Sequence, residues 1–249
     1  MNRKKKVADS FAAATATYES AAEAQARAAD LLVGLVDGLA LPDKPTVLEV
    51  GCGTGLLTRR LLPVIGGDWL VTDLSPAMVA AARVSVGADK AQFRVMDAEQ
   101  PDAPLGLFDL VVSNLAAQWF ADLPRAVRQL GARLAPGGRL VFSTLGRESF
   151  AEWRSAHERL NLSCGIPAYP SPEELAAQLP AGSQVVRHRV VVPHADAHAF
   201  LTALKRIGAG TPSPSHQPLS PGALRRVMKA MGAPVAITYD LLFAVVTAE

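Results

Sequence analysis

The stretch TVLEVGCGTG, residues 46–55, decides what kind of fold this sequence can form. Its first half is a short apolar segment, and glycines follow it at positions 51, 53 and 55. Glycines in such a turn allow the backbone to reverse sharply and to approach a ligand at the start of a helix. The stretch therefore predicts a strand, then a glycine turn, and then a helix over LLTRRLLPVI.

The same alternation of strand and helix continues downstream. The segments that we interpret in this way are WLVTDL (69–74), SPAMVAAARVSV (75–86), QFRVMDAE (92–99), FDLVVSNL (108–115), LPRAVRQLGARLAPGG (123–138) and RLVFSTL (139–145). The helix over 123–138 should end at Pro136, Gly137 and Gly138, because these residues are poor helix formers. The alternation predicts an α/β fold with a mostly parallel sheet and helices on both faces.

The flanking segments complete a single domain over residues 1–249. Residues 8–39 are rich in Ala, Leu, Glu and Gln without Pro and predict one or two helices. After residue 145 the regular alternation ends in a mostly helical insertion, with SQVVRHRVVVPH (183–194) as a strand candidate, and AITYDLLFAVVTAE (236–249) returns to strand character. The predicted parts are N-terminal helices (1–40), a core (45–145), an insertion (146–232) and a closing strand (233–249).

Composition and charge exclude several classes of protein. Hydrophobic residues make up 49% of the chain and charged residues 19%, as in ordinary soluble proteins. No run reaches the roughly 18 apolar residues that span a bilayer, and Asp9 and Ser10 interrupt any secretory signal after the basic N-terminus. Cys52 and Cys164 lack metal-ligand spacing, and a net charge of +2 does not indicate nucleic acid. We expect a cytoplasmic protein that binds no metal, membrane or nucleic acid.

The acid before the glycines indicates which ligand the turn binds. Glu49 lies two residues before Gly51, and this charge argues against a pyrophosphate group. It suits a ligand with an ammonium and a sulfonium group, as in S-adenosylmethionine. The pattern resembles motif I of the class I methyltransferases. A dinucleotide site and a purely structural glycine turn are the weaker alternatives.

Two further acids follow at the ends of the next predicted strands. Asp73 lies twenty residues after Gly53, where a carboxylate can accept hydrogen bonds from both ribose hydroxyls. Asp97 ends the third strand, a position that in this family faces adenine, with the backbone N–H of Ala98 near the ring. Alone, Asp97 could equally be a surface residue, but three strand ends in order favour the ligand.

The stretch VVSNLAAQWF, residues 111–120, begins as a buried strand and then places two amides and an indole at its end. Ligands of such sheets bind beyond the carboxyl ends of the strands. We therefore expect Asn114 to lie between the cofactor methionine and the substrate, and Gln118 and Trp119 to begin the wall of the methyl-transfer chamber. The alternative is a tryptophan packed in the core beside two capping amides.

The methyltransferase resemblance implies S-adenosylmethionine as the cofactor and a set of contacts with it. In related enzymes the N-terminal helices cover the cofactor pocket, so Tyr18 and Gln25 are candidates there. A tyrosine packed at a helix edge is the alternative for Tyr18. The full predicted cofactor set is Tyr18, Gln25, Glu49, Gly51, Cys52, Gly53, Gly55, Asp73, Leu74, Met78, Asp97, Ala98, Asn114 and Leu115.

A narrower resemblance covers nearly the whole chain. The segments that carry it are VADSFAAATATYESAAEAQ, SNLAAQWFADLPRAV, FSTL, LKRIGA and ITYDLLFAV. Together they resemble the malonyl-acyl carrier protein methyltransferases of biotin synthesis, the BioC family. The pairing of SNLAAQW with LKRIGA is much more specific than the glycine motif.

That resemblance implies methylation of the free carboxyl of a malonyl thioester on acyl carrier protein, with malonyl-coenzyme A as an alternative substrate. The methyl ester hides a charge that fatty-acid elongation would reject. A carboxylate is ionised near neutral pH and needs no general base. The five histidines offer no convincing base, so we expect positioning by Tyr18, Asn114 and Lys205 instead of a catalytic acid or base.

The basic segment of the insertion has two candidate roles. No acidic residue lies between Asp196 and Asp240. Lys205 in LKRIGA is the candidate cation for the malonyl group, because the family carries lysine there, although it could instead help to dock the carrier. The candidate docking residues are Arg206, Arg225, Arg226 and Lys229. An ordinary solvated helix surface is the alternative.

Two rival functions remain on sequence grounds. One is a carboxyl methyltransferase of the aconitate type, which acts on a small free acid. The other is a protein that binds S-adenosylmethionine without catalysis. Nucleic-acid methylation has little support, because SNLA stands where such enzymes usually carry an Asn/Asp-Pro-Pro-aromatic run.

Overall fold

A computed structural model of the chain describes residues 3–101, 105–213 and 216–248. Residues 1–2 of the predicted N-terminal segment, residues 102–104 of the predicted core, residues 214–215 of the insertion and residue 249 of the closing strand lie outside this part. None of the described helices is long and apolar enough to cross a membrane.

The helices are α1 (Arg3–Ala14), α2 (Glu23–Asp37), α3 (Thr58–Ile65), α4 (Pro76–Val86), α5 (Leu123–Gly131), α6 (Ala151–Arg159), α7 (Pro172–Ala176), α8 (Ala197–Arg206) and α9 (Pro221–Met231). Short 3-10 helices lie at Glu19–Ala21 and Ala117–Trp119. The strands are β1 (Thr46–Val50), β2 (Asp68–Asp73), β3 (Gln92–Val95), β4 (Phe108–Ser113), β5 (Leu134–Leu145), β6 (Gln184–His194) and β7 (Val235–Thr247).

The strands form one seven-stranded sheet in the order β3-β2-β1-β4-β5-β7-β6. The pairs among β1 to β5 are parallel, whereas β7 runs antiparallel to both β5 and β6. The order reverses beside β1, so the ends of β1 and β4 diverge and leave a crevice in which such sheets bind ligands. This architecture confirms the prediction of an α/β fold with a mostly parallel sheet.

Helices cover both faces of the sheet because successive strand residues point in opposite directions. On β1, Val47 belongs to the apolar core of one face and Leu48 to that of the other. The first face packs against α2, α3, α6, α8 and α9 through residues such as Leu32 and Phe200. The second packs against α5 and α7 through residues such as Leu130 and Leu175.

The helix predicted over residues 123–138 is wrong at its C-terminal end. It ends at Gly131, and β5 already begins at Leu134. Gly138 is tightly packed, since a Cβ there would lie 2.9 Å from the carbonyl oxygens of Ala135 and Phe108. The Pro-Gly-Gly run therefore shapes the irregular start of a strand, where the pairing with β4 shifts register between Phe108 and Leu110.

The insertion contributes to the sheet as well as to its helical cover. The strand candidate at residues 183–194 is confirmed as β6, which pairs with β7 from Gln184↔Val245 to His194↔Val235. Buried Asp240 of β7 holds this edge together: it accepts hydrogen bonds from the Nε of Arg187 at 2.6 Å and the backbone N–H of Glu148 at 3.0 Å. The insertion helices α6, α8 and α9 supply residues to a cavity beside the crevice.

Candidate active site

The glycine turn after β1 needs glycine at its first position for two reasons. Gly51 has φ +70°, which L side chains rarely adopt, and a Cβ there would clash with the Cβ of Ala116 after β4. Gly55 has φ +84° and packs against α4, where a Cβ would lie 2.8 Å from Val86. The glycines thus bring the ends of β1 and β4 and the start of α4 close together.

Asp73 is held at the end of β2 by the same turn. Its Oδ2 accepts a hydrogen bond from the backbone N–H of Gly53 at 3.0 Å, and its Oδ1 accepts one from Ser75 at 2.8 Å. Burial raises the pKa of Asp73, and these backbone donors oppose the increase. Each carboxylate oxygen keeps acceptor capacity for a ligand hydroxyl.

The first cavity of the crevice has about 770 Å³ of free space, including its mouth. Its lining is Lys4, Val7, Ala8, Phe11, Tyr18, Val50, Gly51, Gly53, Asp73, Leu74, Met78, Met96, Asp97, Ala98, Glu99, Asn114, Leu115, Ala116, Trp119 and Phe120. Ten of the fourteen predicted cofactor residues are in this lining. Backbone without side chains at the turn, a carboxylate at β2 and apolar walls match the surface of a nucleoside, so the cavity fits S-adenosylmethionine.

Asp97 lies in this cavity with a partner that the sequence did not reveal. Lys4 of α1 donates to both of its carboxylate oxygens, at 3.0 and 2.7 Å, and also forms an ion pair with Glu99 at 2.7 Å. Glu99 in turn accepts hydrogen bonds from the backbone N–H groups of Ala121 and Asp122. An ammonium group therefore fixes the N-terminal helix at the mouth of the cavity.

Glu49 does not belong to the cavity lining described above. The carboxyl group is 1% exposed and accepts a hydrogen bond of 2.5 Å from the Thr58 hydroxyl. Burial raises the pKa of Glu49 to about 8, and the hydrogen bond from Thr58 opposes this increase. Glu49 therefore lies beneath the glycine turn and joins β1 to the start of α3.

Three other residues of the predicted cofactor set also lie outside this lining. Cys52 is buried, and this burial, followed by the nearby Asp73 and Glu49 carboxyl groups, raises the pKa of the thiol well above its usual value. Gly55 packs against α4, as described above. Gln25 lies on α2 and lines a second cavity.

Asn114 links three elements, which explains why an amide follows β4. Its Nδ2 donates to the carbonyl of Gln25 in α2 at 3.0 Å, and its Oδ1 accepts a hydrogen bond from Ser143 of β5 at 2.8 Å. The same Ser143 hydroxyl accepts the backbone N–H of Leu115 at 2.9 Å. Asn114 thus lines the first cavity while it fixes α2 over the sheet.

The second cavity is larger, with about 1670 Å³ of free space including its opening. Its lining is Phe11, Tyr18, Gln25, Leu115, Gln118, Trp119, Leu145, Phe150, Trp153, His157, Gly165, Ile166, Pro167, Tyr169, Leu201, Leu204, Lys205, Ile207, Ala209, Gly210, Thr211, Pro212, His216, Pro218, Leu219, Leu224 and Tyr239. The part of the chain that the structure describes contributes no Asp or Glu to this lining. The predicted substrate residues Gln118, Trp119 and Lys205 all line it.

Four residues line both cavities and form the wall between them: Phe11, Tyr18, Leu115 and Trp119. The Phe11 and Trp119 rings meet edge to face with centroids 5.5 Å apart, and those of Phe11 and Tyr18 are 6.4 Å apart. Burial, followed by the nearby Asp73 charge, raises the pKa of Tyr18 above its usual value. Its phenol therefore stays protonated and can donate a hydrogen bond.

Of the basic residues on α8 and α9, Lys205 lines the second cavity and the others do not. Lys205 is exposed, and no described residue forms an ion pair or hydrogen bond with its ammonium group. Arg206 donates to the Ser20 hydroxyl at 2.8 Å and is tied to the segment between α1 and α2. Arg225, Arg226 and Lys229 are exposed on α9, whose Leu224 lines the cavity.

Several residues at the site were not predicted from the sequence. In the first cavity these include Lys4, Phe11 and Glu99; in the second, the aromatic and histidine side chains Phe150, Trp153, His157 and Tyr169. Trp153 and His157 are four residues apart in a predicted helix, so their common face was a detectable signal. The contact of Lys4 with Asp97 spans 93 residues of sequence and had no such local signal.

Together these features describe a site for group transfer to an anion. The first cavity presents the carboxylates of Asp73, Asp97 and Glu99, and the second presents one lysine and no described carboxylate. No cluster of three or more His, Cys, Asp or Glu side chains among the described residues could hold a metal ion.

Comparison with known proteins places the chain in a family. The protein-family model described as a methyltransferase domain matches residues 20–187 of the sequence. The chain is 38% identical over 254 aligned residues to the malonyl-[acyl-carrier protein] O-methyltransferase of Magnetococcus marinus, an alignment that covers 99% of this chain and 93% of that protein. It is 41% identical over 239 residues to the biotin biosynthesis bifunctional protein BioCD of Bordetella avium, covering 95% of this chain but only 51% of that longer protein.

Solved structures show the same fold at low sequence identity. The YcgJ protein of Bacillus subtilis superposes with a TM-score of 0.63 at 18% identity, covering 88% of this chain and 99% of that one. The phosphoethanolamine N-methyltransferase 2 of Haemonchus contortus was solved with S-adenosylhomocysteine. It superposes with a TM-score of 0.54 at 16% identity, covering 88% of this chain and 52% of that one. Fold, cavity and sequence agree: the chain belongs to the malonyl-[acyl-carrier protein] O-methyltransferases, a family of S-adenosylmethionine-dependent enzymes.

Proposed function

We propose that this chain transfers the methyl group of S-adenosylmethionine to the free carboxylate of a malonyl group carried by acyl carrier protein. The resulting methyl ester would prime the synthesis of the pimeloyl chain for biotin, in keeping with the names of the relatives. The observation that carries this proposal is the second cavity: it adjoins the cofactor cavity, has a lysine at its rim and has no carboxylate among its described lining residues.

A carboxylate acceptor needs no general base from the protein. When bound, S-adenosylmethionine supplies a methyl group on a positively charged sulfur. A carboxylate that attacks this carbon has no proton to lose, so the protein needs only to align and desolvate the two partners. Lys205 would hold the malonyl group, and Phe11, Tyr18 and Trp119 would enclose the point of transfer.

The test is mass spectrometry of malonyl-acyl carrier protein after incubation with the enzyme and S-adenosylmethionine. We expect a gain of one methyl group on the malonyl form and none on acetyl-acyl carrier protein. Malonyl-coenzyme A and free malonate are run alongside. Equal methylation of free malonate would instead favour a small-acid methyltransferase, and cofactor binding without transfer to any acid would favour a sensor.

We further propose that the exposed cations of α9 dock the acidic carrier protein. Charge reversal of Arg226 to Glu should raise the Michaelis constant for malonyl-acyl carrier protein several-fold at low salt, because rim charges steer association. The affinity for S-adenosylmethionine should be unchanged. The Michaelis constant can be measured in a continuous transfer assay at low and high salt.

The matched control is Arg128→Glu on α5, which is also exposed but packs on the opposite face of the sheet. Val227 of α9 belongs to the core of the first face and Val127 of α5 to that of the second. An equal effect of both reversals, or no effect of either at low salt, would contradict the docking surface.

A further inference from the structure

We propose that the second cavity is also the binding site of the substrate's pantetheine arm, and that His157 and Gln118 accept hydrogen bonds from its amide groups. This inference rests on the proposed function and deepens it, because it adds a reason why a free acid would be a poor substrate.

The volume of the second cavity is the first observation. A malonyl group has only a few non-hydrogen atoms, whereas the cavity has more than twice the free space of the cofactor cavity. Its walls are largely apolar, with Leu201, Leu204 and Leu224 among them. The space therefore suits a longer, mostly aliphatic group that continues beyond the malonyl group.

His157 is the second observation. The side chain is 2% exposed, lines this cavity, and has its Nδ1 2.8 Å from the carbonyl oxygen of Trp153. A carbonyl oxygen can only accept, so Nδ1 carries the proton and donates it. In the neutral ring Nε2 is then a hydrogen-bond acceptor, and no described residue donates to it.

The described surroundings of His157 in this cavity offer no acidic partner. No described Asp or Glu lines the cavity, and its one lysine, Lys205, is exposed. His157 thus presents a lone pair to the ligand.

Gln118 provides a second acceptor of the same kind. Its Nε2 donates to the carbonyl of Leu115 at 2.7 Å, which fixes the orientation of the amide. Its Oε1 is buried and has no hydrogen-bond partner among the described residues. Both acceptors lie in a cavity whose walls are otherwise mostly apolar, where an unmet acceptor is costly.

The malonyl group cannot satisfy either acceptor. Its carboxylate and its thioester carbonyl accept hydrogen bonds but donate none. The pantetheine arm, in contrast, carries two secondary amides, each with one N–H donor, separated by aliphatic carbons. The two acceptors, His157 Nε2 and Gln118 Oε1, and the apolar walls are complementary to that pattern.

The experiment compares two small substrates that share the malonyl thioester. S-malonyl-pantetheine has both amides, and the malonyl ethyl thioester has none. The wild-type protein should prefer the first by about tenfold or more in kcat/KM, because a site built to bind an N–H discriminates against an analogue without it. His157→Phe should lower kcat/KM about tenfold for S-malonyl-pantetheine and leave the value for the ethyl thioester unchanged.

The matched control is His198→Phe on α8, which is exposed and does not line the second cavity. This variant should leave kcat/KM unchanged for both substrates. An equal loss with both thioesters in His157→Phe would show a structural role for His157 and overturn the inference. Methylation of malonyl-acyl carrier protein without any preference between the two thioesters would overturn it while the proposed function stands.

A second measurement requires neither turnover nor a variant. In the ¹⁵N NMR spectrum of the wild-type protein with S-adenosylhomocysteine, pantetheine should shift the His157 Nε2 resonance and ethanethiol should not. An unchanged Nε2 resonance at saturating pantetheine would overturn the inference. If no malonyl thioester of any kind is methylated, the proposed function falls, and this inference falls with it.

Discussion

At the scale of single residues, the most informative result is the position of Glu49. The sequence presented it as a ligand for the cofactor ammonium group, and that role stays a prediction. In the structure Glu49 is buried, and its carboxyl group accepts a hydrogen bond from the Thr58 hydroxyl. A buried acid with one hydrogen bond favours its protonated form, which has a consequence for stability.

The stability of the unliganded protein should depend on Glu49. Burial raises its pKa from 4.5 to about 8, so the folded state holds a proton that the unfolded state releases between these values. The stabilisation of the folded state by protonated Glu49 is therefore fully present below pH 4.5 and is lost as the pH rises through 8. In the wild-type protein the free energy of unfolding should decline from pH 5 to 9 by on the order of a few kcal/mol. Glu49→Gln should flatten this decline, as urea unfolding across the same pH range would show. Parallel profiles for the two proteins would contradict this.

Trp119 should affect catalysis more than cofactor binding. It lies in the wall between the two cavities and packs edge to face on Phe11. Trp119→Ala would remove part of that wall and loosen the alignment of the reacting groups, so kcat should fall roughly a hundredfold. Trp119→Phe keeps an aromatic ring and should retain most of the activity. Calorimetric titration of Trp119→Ala with S-adenosylhomocysteine measures the cofactor affinity. A loss of affinity as large as the loss of kcat would contradict the prediction.

At the scale of elements, α1 acts as a cover that an ion pair holds at the cofactor cavity. Lys4 forms ion pairs with Asp97 and Glu99, which lie after β3. The three side chains are 7–29% exposed, so the pair is only partly screened by solvent. α1 also supplies Phe11 to the wall between the cavities.

Loss of the Lys4 ammonium should speed the release of the cofactor. Lys4→Met should increase the dissociation rate of S-adenosylmethionine about fivefold, which corresponds to about 1 kcal/mol for a partly exposed pair. Stopped-flow fluorescence at low and high salt would measure it. Salt should accelerate release from the wild-type protein and change the variant little.

Lys5→Met is the control for this prediction, because Lys5 is an exposed neighbour on the same helix. It should match the wild-type protein at every salt concentration. Slower release from the Lys4 variant would indicate instead that Lys4 competes with the cofactor for Asp97.

The elements also show what the sequence could and could not predict. Strands, helices and the glycine turn carry local signals of period and composition, and so the core from β1 to β4 was predictable. The helix predicted through Gly138 was wrong because Pro and Gly mark an irregular strand as readily as a helix end. Contacts such as Asn114 with Gln25, 89 residues apart, depend on tertiary packing and leave no local pattern.

At the scale of the whole molecule, Asp240 connects the insertion to the sheet. Its side chain is fully buried on β7. It accepts hydrogen bonds from Arg187 of β6 and from the backbone N–H of Glu148 after β5. Both the edge of the sheet and the start of the insertion therefore depend on one carboxylate.

Asp240→Ala should destabilise the folded protein by about 2–3 kcal/mol, because it removes the acceptor of the Glu148 backbone N–H and the buried partner of Arg187. Urea unfolding monitored by tryptophan fluorescence and by circular dichroism would measure the change. Glu158→Ala, which removes a carboxylate with exposed surroundings on α6, should change stability by less than about 0.5 kcal/mol. Comparable losses in both variants would contradict a special role for Asp240.

The wall that the two cavities share has a consequence for the order of events in a catalytic cycle. Phe11 and Tyr18 come from the N-terminal segment, which also closes the cofactor cavity, so the shape of the acceptor cavity depends on that segment being in place. A cofactor bound beneath it would complete the wall before an acyl group arrives. Turnover would then follow a compulsory sequence, with S-adenosylmethionine entering first and S-adenosylhomocysteine leaving last.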